Sequence, residues 1–343
     1  MSTAAIELNV CPPLVELLTR QFSPEGLRSS LSAPAAEVPA ELWEQAIAGP
    51  LSEFLSRPGK EVRRRVFELG WQLGDGKRTP PPTLSLLVEV LHSGSLIVDD
   101  IEDGSSYRRG ARALHCVHGV PLALNAGSWL YFWPAELLRT LDLPPALELE
   151  LHRAISRTLL QAHSGQALDL SVRVQDLEQA DVPRVVHAIT TLKTGSLMRL
   201  AAEGGAIAAG AEAAATRAAA EFGGQLGVGL QMLDDLSGID DRARCHKGHE
   251  DLLLSRATWP WAWLAESLPA KAYAEVVELH RMVVARDAHP EALARAMRER
   301  LGPARPRVHA TLDRALLKIG AFARPALLRQ LRDAVAALEK SYG

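Results

Sequence analysis

Long segments in which apolar residues recur every three or four positions run through most of this chain of 343 residues. That spacing places the apolar side chains on one face of an α-helix, and the alternation typical of strands is scarce. Proline-containing stretches, "TPPPTL" at Thr79–Leu84 and "DLPPAL" at Asp142–Leu147, predict helix starts. The sequence therefore predicts an all-α fold. The segments expected to be helical are 84–101, 146–174, 182–209, 211–236 and 308–340.

Composition excludes several classes of protein. Apolar residues make up 47% of the chain, which is ample for a core, and the net charge of -3 argues against nucleic-acid binding. No apolar run reaches the roughly 18 residues of a membrane span. The N-terminus lacks a basic start followed by an apolar run, so no signal peptide is expected. Three widely spaced cysteines indicate neither a disulfide framework nor a zinc site. We expect a cytoplasmic protein.

The domain organisation is predicted to be simple. Residues 1–40 include "SPEGLRSSLSAPAAEVPAE", which is rich in Ser, Pro and Ala, and we expect a loosely attached N-terminal extension. No fixed-period repeat or low-complexity linker divides the remainder. Residues 41–343 are therefore predicted to form one all-α domain whose helices are largely buried.

A first acidic cluster lies in "LIVDDIEDGSSYRRG", Leu96–Gly110. On a helix, Asp103 shares a face with both Asp99 and Asp100. Like charges on one face repel each other, whereas a divalent cation makes the arrangement favourable, and Mg²⁺ prefers carboxylate and phosphate oxygens. His92 falls on the same stripe two turns earlier. A solvated acidic helix end is the alternative interpretation.

A second acidic cluster lies in "LQMLDDLSGIDD", Leu230–Asp241. Asp234 and Asp235 follow a run that is apolar except for Gln231, and unpaired charges are costly in a core. This cluster repeats the pattern of an apolar helix followed by paired aspartates. Two such clusters facing one cavity are able to hold several magnesium ions and a diphosphate between them.

Basic residues near these clusters are candidates for binding phosphate. Arginine offers a planar fork of donors that matches phosphate oxygens. For each cation taken alone, a solvated surface charge is the alternative, because lysine and arginine are usually exposed. The candidates are Lys60, Arg63, Arg108, Arg109, Lys193 beside Thr194, Lys247 and Arg256.

Together these motifs resemble those of the trans-polyprenyl (isoprenyl) diphosphate synthases, the family of farnesyl and geranylgeranyl diphosphate synthases. "HSGSLIVDDIEDGSSYRRG" is similar to the family's first aspartate-rich motif, and "GQALDL", "KTG" and "LQMLDDL" follow in the family's order. The resemblance extends from about Gly59 to Trp259. It implies an isoprenoid synthase bundle of roughly ten or more helices around a central cavity, and a homodimer.

The resemblance also implies an activity. An allylic diphosphate ionises with the help of magnesium, the double bond of isopentenyl diphosphate attacks the resulting cation, and a proton is lost. Magnesium and arginine stabilise the departing diphosphate, and an apolar, water-poor cavity protects the cation. The implied enzyme is a prenyltransferase of isoprenoid biosynthesis that makes a short-chain C15–C20 polyprenyl diphosphate.

The resemblance assigns a role to each candidate residue, with about three magnesium ions present when diphosphate is bound. The magnesium ligands are Asp99, Asp100, Asp103, Asp234 and Asp235. The allylic diphosphate is bound by Arg108, Lys193 and Lys247, and isopentenyl diphosphate by Lys60, Arg63, His92 and Arg109. Gln166 and Gln231 line the reacting region, Thr194 binds substrate, and Asp169 and Asp251 act as supports. The residues assigned to catalysis are Asp99, Asp100, Asp103, Lys193, Gln231 and Asp234.

The chain departs from the family pattern in two places. The substrate loop usually reads GGKRxRP, and here it reads "PGKEVRR", with Glu61 in place of a basic residue and Arg64 in place of proline. In the second acidic motif, Gly238 replaces a third aspartate. Glycine costs about 1 kcal/mol inside a helix, so the helix is expected to end near Gly238. The alternative oxygen donors are then Ser237, Asp240 and Asp241.

Product length depends on the depth of the pocket. Gly94 and Ser95 are small and favour passage of a growing chain. The aromatic residues of "GSWLYFWPAELL" either cap the pocket or pack in the core, and both interpretations stay open. These residues are Trp129, Tyr131, Phe132 and Trp133.

Two other functions remain as alternatives. The first alternative is a class I terpene-cyclase-like enzyme, which ionises the same substrate. Such enzymes usually carry Asn or Asp, then Ser or Thr, then Glu at four-residue steps. Here the steps from Asp234 reach Gly238 and Arg242, so the triad is absent. The second alternative is a non-catalytic modulatory subunit of a heteromeric prenyl synthase. The altered second acidic motif favours this alternative, whereas the intact first motif argues against it.

Overall fold

A computed structural model of the chain describes residues 12–74, 79–240 and 245–340, and its regular structure is almost entirely helical. The all-α prediction is confirmed. In chain order the helices are α1 (Pro12–Gln21), α2 (Pro24–Ser30), α3 (Ala33–Glu37), α4 (Ala40–Trp43), α5 (Gly49–Leu55), α6 (Val62–Trp71), α7 (Pro82–Glu102), α8 (Leu114–His118), α9 (Val120–Arg139), α10 (Pro145–Ser171), α11 (Val182–Thr190), α12 (Ser196–Ala208), α13 (Ala213–Asp240), α14 (Cys245–Leu253), α15 (Trp259–Ser267), α16 (Ala270–Val284), α17 (Pro290–Leu301), α18 (Arg305–Gly320) and α19 (Pro325–Lys340). The short strands are β1 (Tyr107–Arg108) and β2 (Ala111–Arg112).

The helix boundaries follow the signals in the sequence. Helices α7 and α10 begin at prolines of the two predicted start motifs, because proline lacks the N–H that a first turn leaves unpaired. The segment 182–209 contains α11, a π-helical turn at Thr191–Gly195 and α12. The segment 308–340 is interrupted after Gly320, where α19 restarts at Pro325.

Two compact units make up the chain. The first contains the described residues of Met1–Glu68 and Arg78–His152, and the second contains those of Leu69–Lys77 and Arg153–Gly343. The described residues before position 40 bury Leu14, Leu18 and Leu27. The extension 1–40 and the single domain 41–343 stay predictions.

In the first unit, α7 packs along α9. Almost every residue of α7 from Leu84 to Gly94 is buried, and α9 contributes Leu130 and Leu138 to the same core. This packing places the end of α7, which carries the first acidic cluster, at the boundary between core and solvent.

In the second unit, α13 packs against both α12 and α18. The start of α13 is rich in alanine, and small residues of this kind allow close packing. As a result, α12 is buried along almost its whole length. Within the described residues, no helix combines the length and apolar character required to cross a membrane.

Candidate active site

The first acidic cluster lies at the C-terminal end of α7. Asp100 is completely buried, whereas Asp99 and Asp103 are half-buried. Asp103 caps the helix, and its N–H donates to the carbonyl oxygen of Asp99 at 2.9 Å. The cluster thus offers one carboxylate inside the protein and two at its surface.

Arg108 pairs with two carboxylates of this cluster. Its Nε donates to Asp100 Oδ1 at 2.7 Å, its Nη2 also contacts Asp100, and Asp99 Oδ2 lies 3.6 Å from Nη2. Burial raises the pKa of Asp100, and the hydrogen bond and charge of Arg108 oppose that effect. Arg108 follows the acidic helix by only a few residues and pairs with its buried carboxylate, and its assignment to the allylic diphosphate stays a prediction.

The donor set of this cluster fits a hard cation. Asp100 Oδ2 is buried and accepts no hydrogen bond, which leaves a carboxylate oxygen for a metal. Across the parts of the chain that the structure describes, no three His, Cys, Asp or Glu side chains converge as a ready-made metal site. Magnesium commonly takes one or two carboxylates and completes its shell with water and phosphate oxygens, so an incomplete protein shell is compatible with it.

Three arginines of the first unit lie within electrostatic reach of His92. Burial lowers the pKa of His92 well below its ordinary value, and the charges of Arg63, Arg109 and Arg108 lower it further. His92 is therefore neutral at pH 7. Four residues that were predicted separately from the sequence thus lie in one region.

The arginines 108 and 109 lie on a β-hairpin rather than in an irregular loop. Tyr107 pairs with Arg112, and Arg108 pairs with Ala111. Arg109 and Gly110 form the two-residue turn, with φ of 52° and 78°, as a type I′ turn requires. No sequence signal indicated this hairpin.

The two departures in the substrate loop compensate each other. Glu61, which has a φ of 46°, forms an ion pair with Arg64 at 3.0 Å. The backbone N–H of Arg64 donates to Oε1 of the buried Glu89 at 3.1 Å, a bond that the proline usual in the family has no N–H to make. Lys60 is exposed at the start of this loop.

Lys193 lies in the π-helical turn of the second unit. Its Nζ donates to Asp169 Oδ2 at 2.8 Å, and the buried Arg256 donates to the carbonyl oxygen of Asp169. A Cβ built on Gly165 would lie 2.7 Å from Leu192 Cβ, so only glycine permits α10 to approach the π-helical turn this closely. The chain remains helical through this turn.

A hydrogen-bonded chain connects Thr194 to the second acidic motif. Thr194 Oγ1 donates to Gln231 Oε1 at 2.9 Å, and Gln231 Nε2 donates to Asp235 Oδ1 at 2.7 Å. The other oxygen of Asp235 accepts the N–H of Trp259, the first residue of α15, at 2.9 Å. Asp235 therefore fixes the start of α15, and its assignment to magnesium stays a prediction.

Gly238 does not end its helix. Helix α13 continues to Asp240, so the predicted helix end is wrong, and the backbone does not turn back to present Asp240 as a substitute ligand. A Cβ built on Gly238 would lie 3.1 Å from Cα of Gly248, and one built on Gly248 would lie 2.9 Å from Cα of Gly238. The glycine lets α14 pack directly on the backbone of α13, which is a reason that no local sequence pattern reveals.

The remaining predicted residues of this unit have less informative surroundings. Ser237 donates to the carbonyl oxygen of Asp234 at 2.8 Å. Gln166, Asp234 and Asp251 are half-buried on α10, α13 and α14. The backbone of Lys247 belongs to α14, whereas its side chain and the whole of Asp241 lie outside the described residues. The roles of these residues stay predictions.

The aromatic residues of α9 have separate environments. Trp133 is buried and donates from Nε1 to Gln21 Oε1 at 3.1 Å, and Trp129 packs between Trp133 and Phe22, with ring centroids 5.1 and 5.5 Å away. Phe132 is 74% exposed. Trp133 is therefore a core residue, and the half-buried Trp129 packs against it.

Tyr131 lies within electrostatic reach of the acidic cluster. Burial raises the pKa of its hydroxyl, and the charges of Glu102 and Asp99 add to that effect. A Cβ built on Gly94 would lie 2.8 Å from the carbonyl oxygen of Gly127 and 3.4 Å from Tyr131 Cε1. The space expected beside Gly94 is therefore filled by α9, and that expectation was wrong.

The chain is similar to a known family and to several known proteins. A model of the family described as "Polyprenyl synthetase" matches residues 44–299. A geranylgeranyl pyrophosphate synthase of Aspergillus flavus is 34% identical over 186 residues, which cover 53% of this chain and 49% of that protein. The chain spans about half the length of most curated relatives that it matches.

Solved structures share the fold over nearly the whole chain. A decaprenyl diphosphate synthase from Rhodobacter capsulatus superimposes with a TM-score of 0.74 at 19% identity, covering 93% of this chain and 99% of that one. A polyprenyl synthase from Caulobacter crescentus CB15, complexed with calcium and isoprenyl diphosphate, gives a TM-score of 0.66 at 23% identity, with coverages of 99% and 98%. At these identities the likeness shows the fold.

Proposed function

This chain belongs to the polyprenyl synthetase family, and we propose that it is a trans-prenyltransferase that joins isopentenyl diphosphate to an allylic diphosphate. The motifs had predicted this family. The product that we propose is a C15–C20 polyprenyl diphosphate, in keeping with the name of the Aspergillus flavus relative.

The observation that carries the proposal is the group of arginines and carboxylates at the buried end of α7. Asp100 presents an oxygen without a hydrogen bond beside Arg108, and the neutral His92 lies among three arginines. A diphosphate needs both fixed cations and a metal held by carboxylates, and this region supplies the donors for both.

The arginines bind and orient the diphosphates in the proposed reaction. Arg108 stabilises the negative charge that develops on the allylic diphosphate as its C–O bond breaks. Lys193 does the same, and Asp169 holds it in place. Arg63 and Arg109 hold isopentenyl diphosphate. His92 lies within reach of these arginines and offers a further hydrogen-bond donor to an anion.

The residues that would hold magnesium are Asp99, Asp100, Asp103, Asp234 and Asp235. When bound, about three magnesium ions would neutralise the charge that develops on the departing diphosphate. The orphaned oxygen of Asp100 supports this assignment most directly. Asp235 already uses both oxygens inside its own unit, so Asp234 is the stronger candidate in the second motif.

Tyr131 is our candidate for limiting product length. Its ring lies beside Gly94, and α9 fills the space there, which favours a short product. We also propose a cytoplasmic homodimer. The exposed apolar side chains of Val120, Leu124 and Phe132 on α9 support a contact with a second copy.

The test is turnover by the purified protein with magnesium, isopentenyl diphosphate and each of the C5, C10 and C15 allylic diphosphates. Elongated alcohols after phosphatase treatment are the expected products. Cyclic hydrocarbons formed without isopentenyl diphosphate would contradict the proposal in favour of a cyclase. Turnover only after addition of another subunit would identify a modulatory subunit.

A matched pair of variants tests the magnesium assignment. Asp99→Ala removes a proposed ligand, and we expect a loss of activity of about a hundredfold or more with an unchanged fold. Glu102→Gln removes a neighbouring exposed carboxylate that the proposal does not use, and its activity should stay within a few-fold of the parent. Equal activity of the two variants would rule out the assignment.

A further inference from the structure

Arg57 is a buried cation with no part in the reaction proposed above. Its Nε and Nη2 donate to the carboxylate of Glu53 at 3.0 and 2.8 Å. Its Nη1 also donates to the carbonyl oxygen of Arg108 at 3.2 Å, and its Nη2 donates to that of Arg112 at 2.8 Å. The side chain is only 5% exposed. One guanidinium group thus binds the backbone of both strands of the hairpin.

The hairpin has little regular structure of its own. Each strand has two residues, and one further backbone bond joins Ala113 N to Ser106 O at 2.9 Å. The turn holds Arg109 in the left-handed region, which residues with a side chain rarely adopt. Because isolated two-stranded hairpins are marginally stable, contacts from outside must hold this conformation.

Phe54 completes the support for the turn. The guanidinium carbon of Arg57 lies 5.0 Å from the centre of its ring, and that of Arg109 lies 5.7 Å from it. A Cβ built on Gly59 would lie 3.5 Å from the guanidinium carbon of Arg109. Arg57, Gly59 and Arg109 also line one pocket. Arg109 is therefore held between the aromatic ring and the loop that carries Lys60.

We propose that Arg57 is a positioning residue that holds the β1–β2 hairpin in its binding conformation before substrate arrives. In that conformation Arg108 reaches Asp100, and Arg109 lies over Phe54. Preorganised donors bind more tightly because no ordering cost remains to be met on binding. The inference rests on the proposed function in one respect, namely that the hairpin arginines bind diphosphate.

Hydrogen exchange tests the structural half without any substrate. In Arg57→Gln, the backbone amides of residues 105–113 should exchange at least about tenfold faster. The reason is that a buried hydrogen bond to a charged group contributes more free energy than a tenfold change in an equilibrium constant corresponds to. Arg57→Lys keeps the charge but loses the fork, so it should fall between Arg57→Gln and the parent. Arg112→Ala removes an exposed cation from the same hairpin and keeps its carbonyl, so exchange should be unchanged.

Calorimetric titration with inorganic pyrophosphate and magnesium tests the functional half. We expect binding about tenfold weaker in Arg57→Gln, partial rescue in Arg57→Lys, and affinity within about twofold of the parent in Arg112→Ala. Unchanged exchange in Arg57→Gln would overturn the proposal, and so would faster exchange with unchanged affinity.

The two proposals fail in different ways. A parent protein that binds no pyrophosphate contradicts the proposed function, while the exchange measurement still decides whether Arg57 orders the hairpin. If Arg57→Gln does not fold, Arg57→Lys decides the matter, and parental exchange and affinity in that variant would overturn the inference.

Discussion

The contact between Gly238 and Gly248 predicts unequal effects of the same substitution at the two positions. A Cβ built on Gly248 would lie 2.9 Å from Cα of Gly238 and closer still to its carbonyl group, so α14 would have to withdraw by about 1 Å to restore ordinary contact. A Cβ built on Gly238 would meet Cα of Gly248 at 3.1 Å, and its next neighbour lies at 3.5 Å. That contact needs only a few tenths of an ångström.

The magnitudes follow from two opposing effects. Overpacking costs about 1–3 kcal/mol, whereas alanine gains up to about 1 kcal/mol over glycine inside a helix. For Gly248→Ala we expect a net loss of about 1–2 kcal/mol in the free energy of unfolding, and for Gly238→Ala a change near zero. Gly224→Ala is the control on α13, because a Cβ there meets only Arg199 Cβ at 3.9 Å and should stabilise the protein.

Urea denaturation of the three variants and the parent measures these differences through the unfolding midpoint. Gly238→Asp belongs in the same series, because it restores the acidic residue usual in the family. We expect it to be less stable than Gly238→Ala, since a carboxylate would be buried at the helix contact, and to show no gain in turnover. Equal stability of Gly248→Ala and Gly224→Ala would refute the packing explanation. A gain in turnover for Gly238→Asp would mean that this position has lost a metal ligand.

Two further predictions concern product length and pH. Tyr131→Ala removes the ring beside Gly94 and should lengthen the product, measured by chromatography of the released alcohols, whereas Leu317→Ala at an exposed position of α18 should not. An unchanged product distribution would contradict the role of Tyr131. Burial lowers the pKa of His280, which bonds to Leu252 O at 3.0 Å, so its neutral form stabilises the fold above about pH 6.5. That stabilisation is lost as pH falls below this value, because the unfolded chain then takes up the proton more readily than the folded one. His280→Gln should lose this part of the pH dependence of the urea midpoint, and an unchanged dependence would contradict it.

The acidic motif at the end of α7 illustrates what local sequence reveals about the site. Helical spacing places Asp99, Asp100 and Asp103 near one another, and their arginines follow within a few residues. The sequence therefore identified residues that the fold brings together in this region. It did not reveal that Arg108 holds Asp100, nor which carboxylate is buried, because burial depends on the helices that pack around the end of α7.

By itself, the sequence determined the helices and the order of the chemical motifs, because apolar periodicity and proline act over one or a few turns. Only the tertiary structure decided the contacts of Arg57, whose partners lie 51 and 55 residues away in the chain. It also decided that Gly238 meets Gly248 across two helices. Contacts of this kind depend on which backbones approach each other, and a single sequence carries no local signal of that approach.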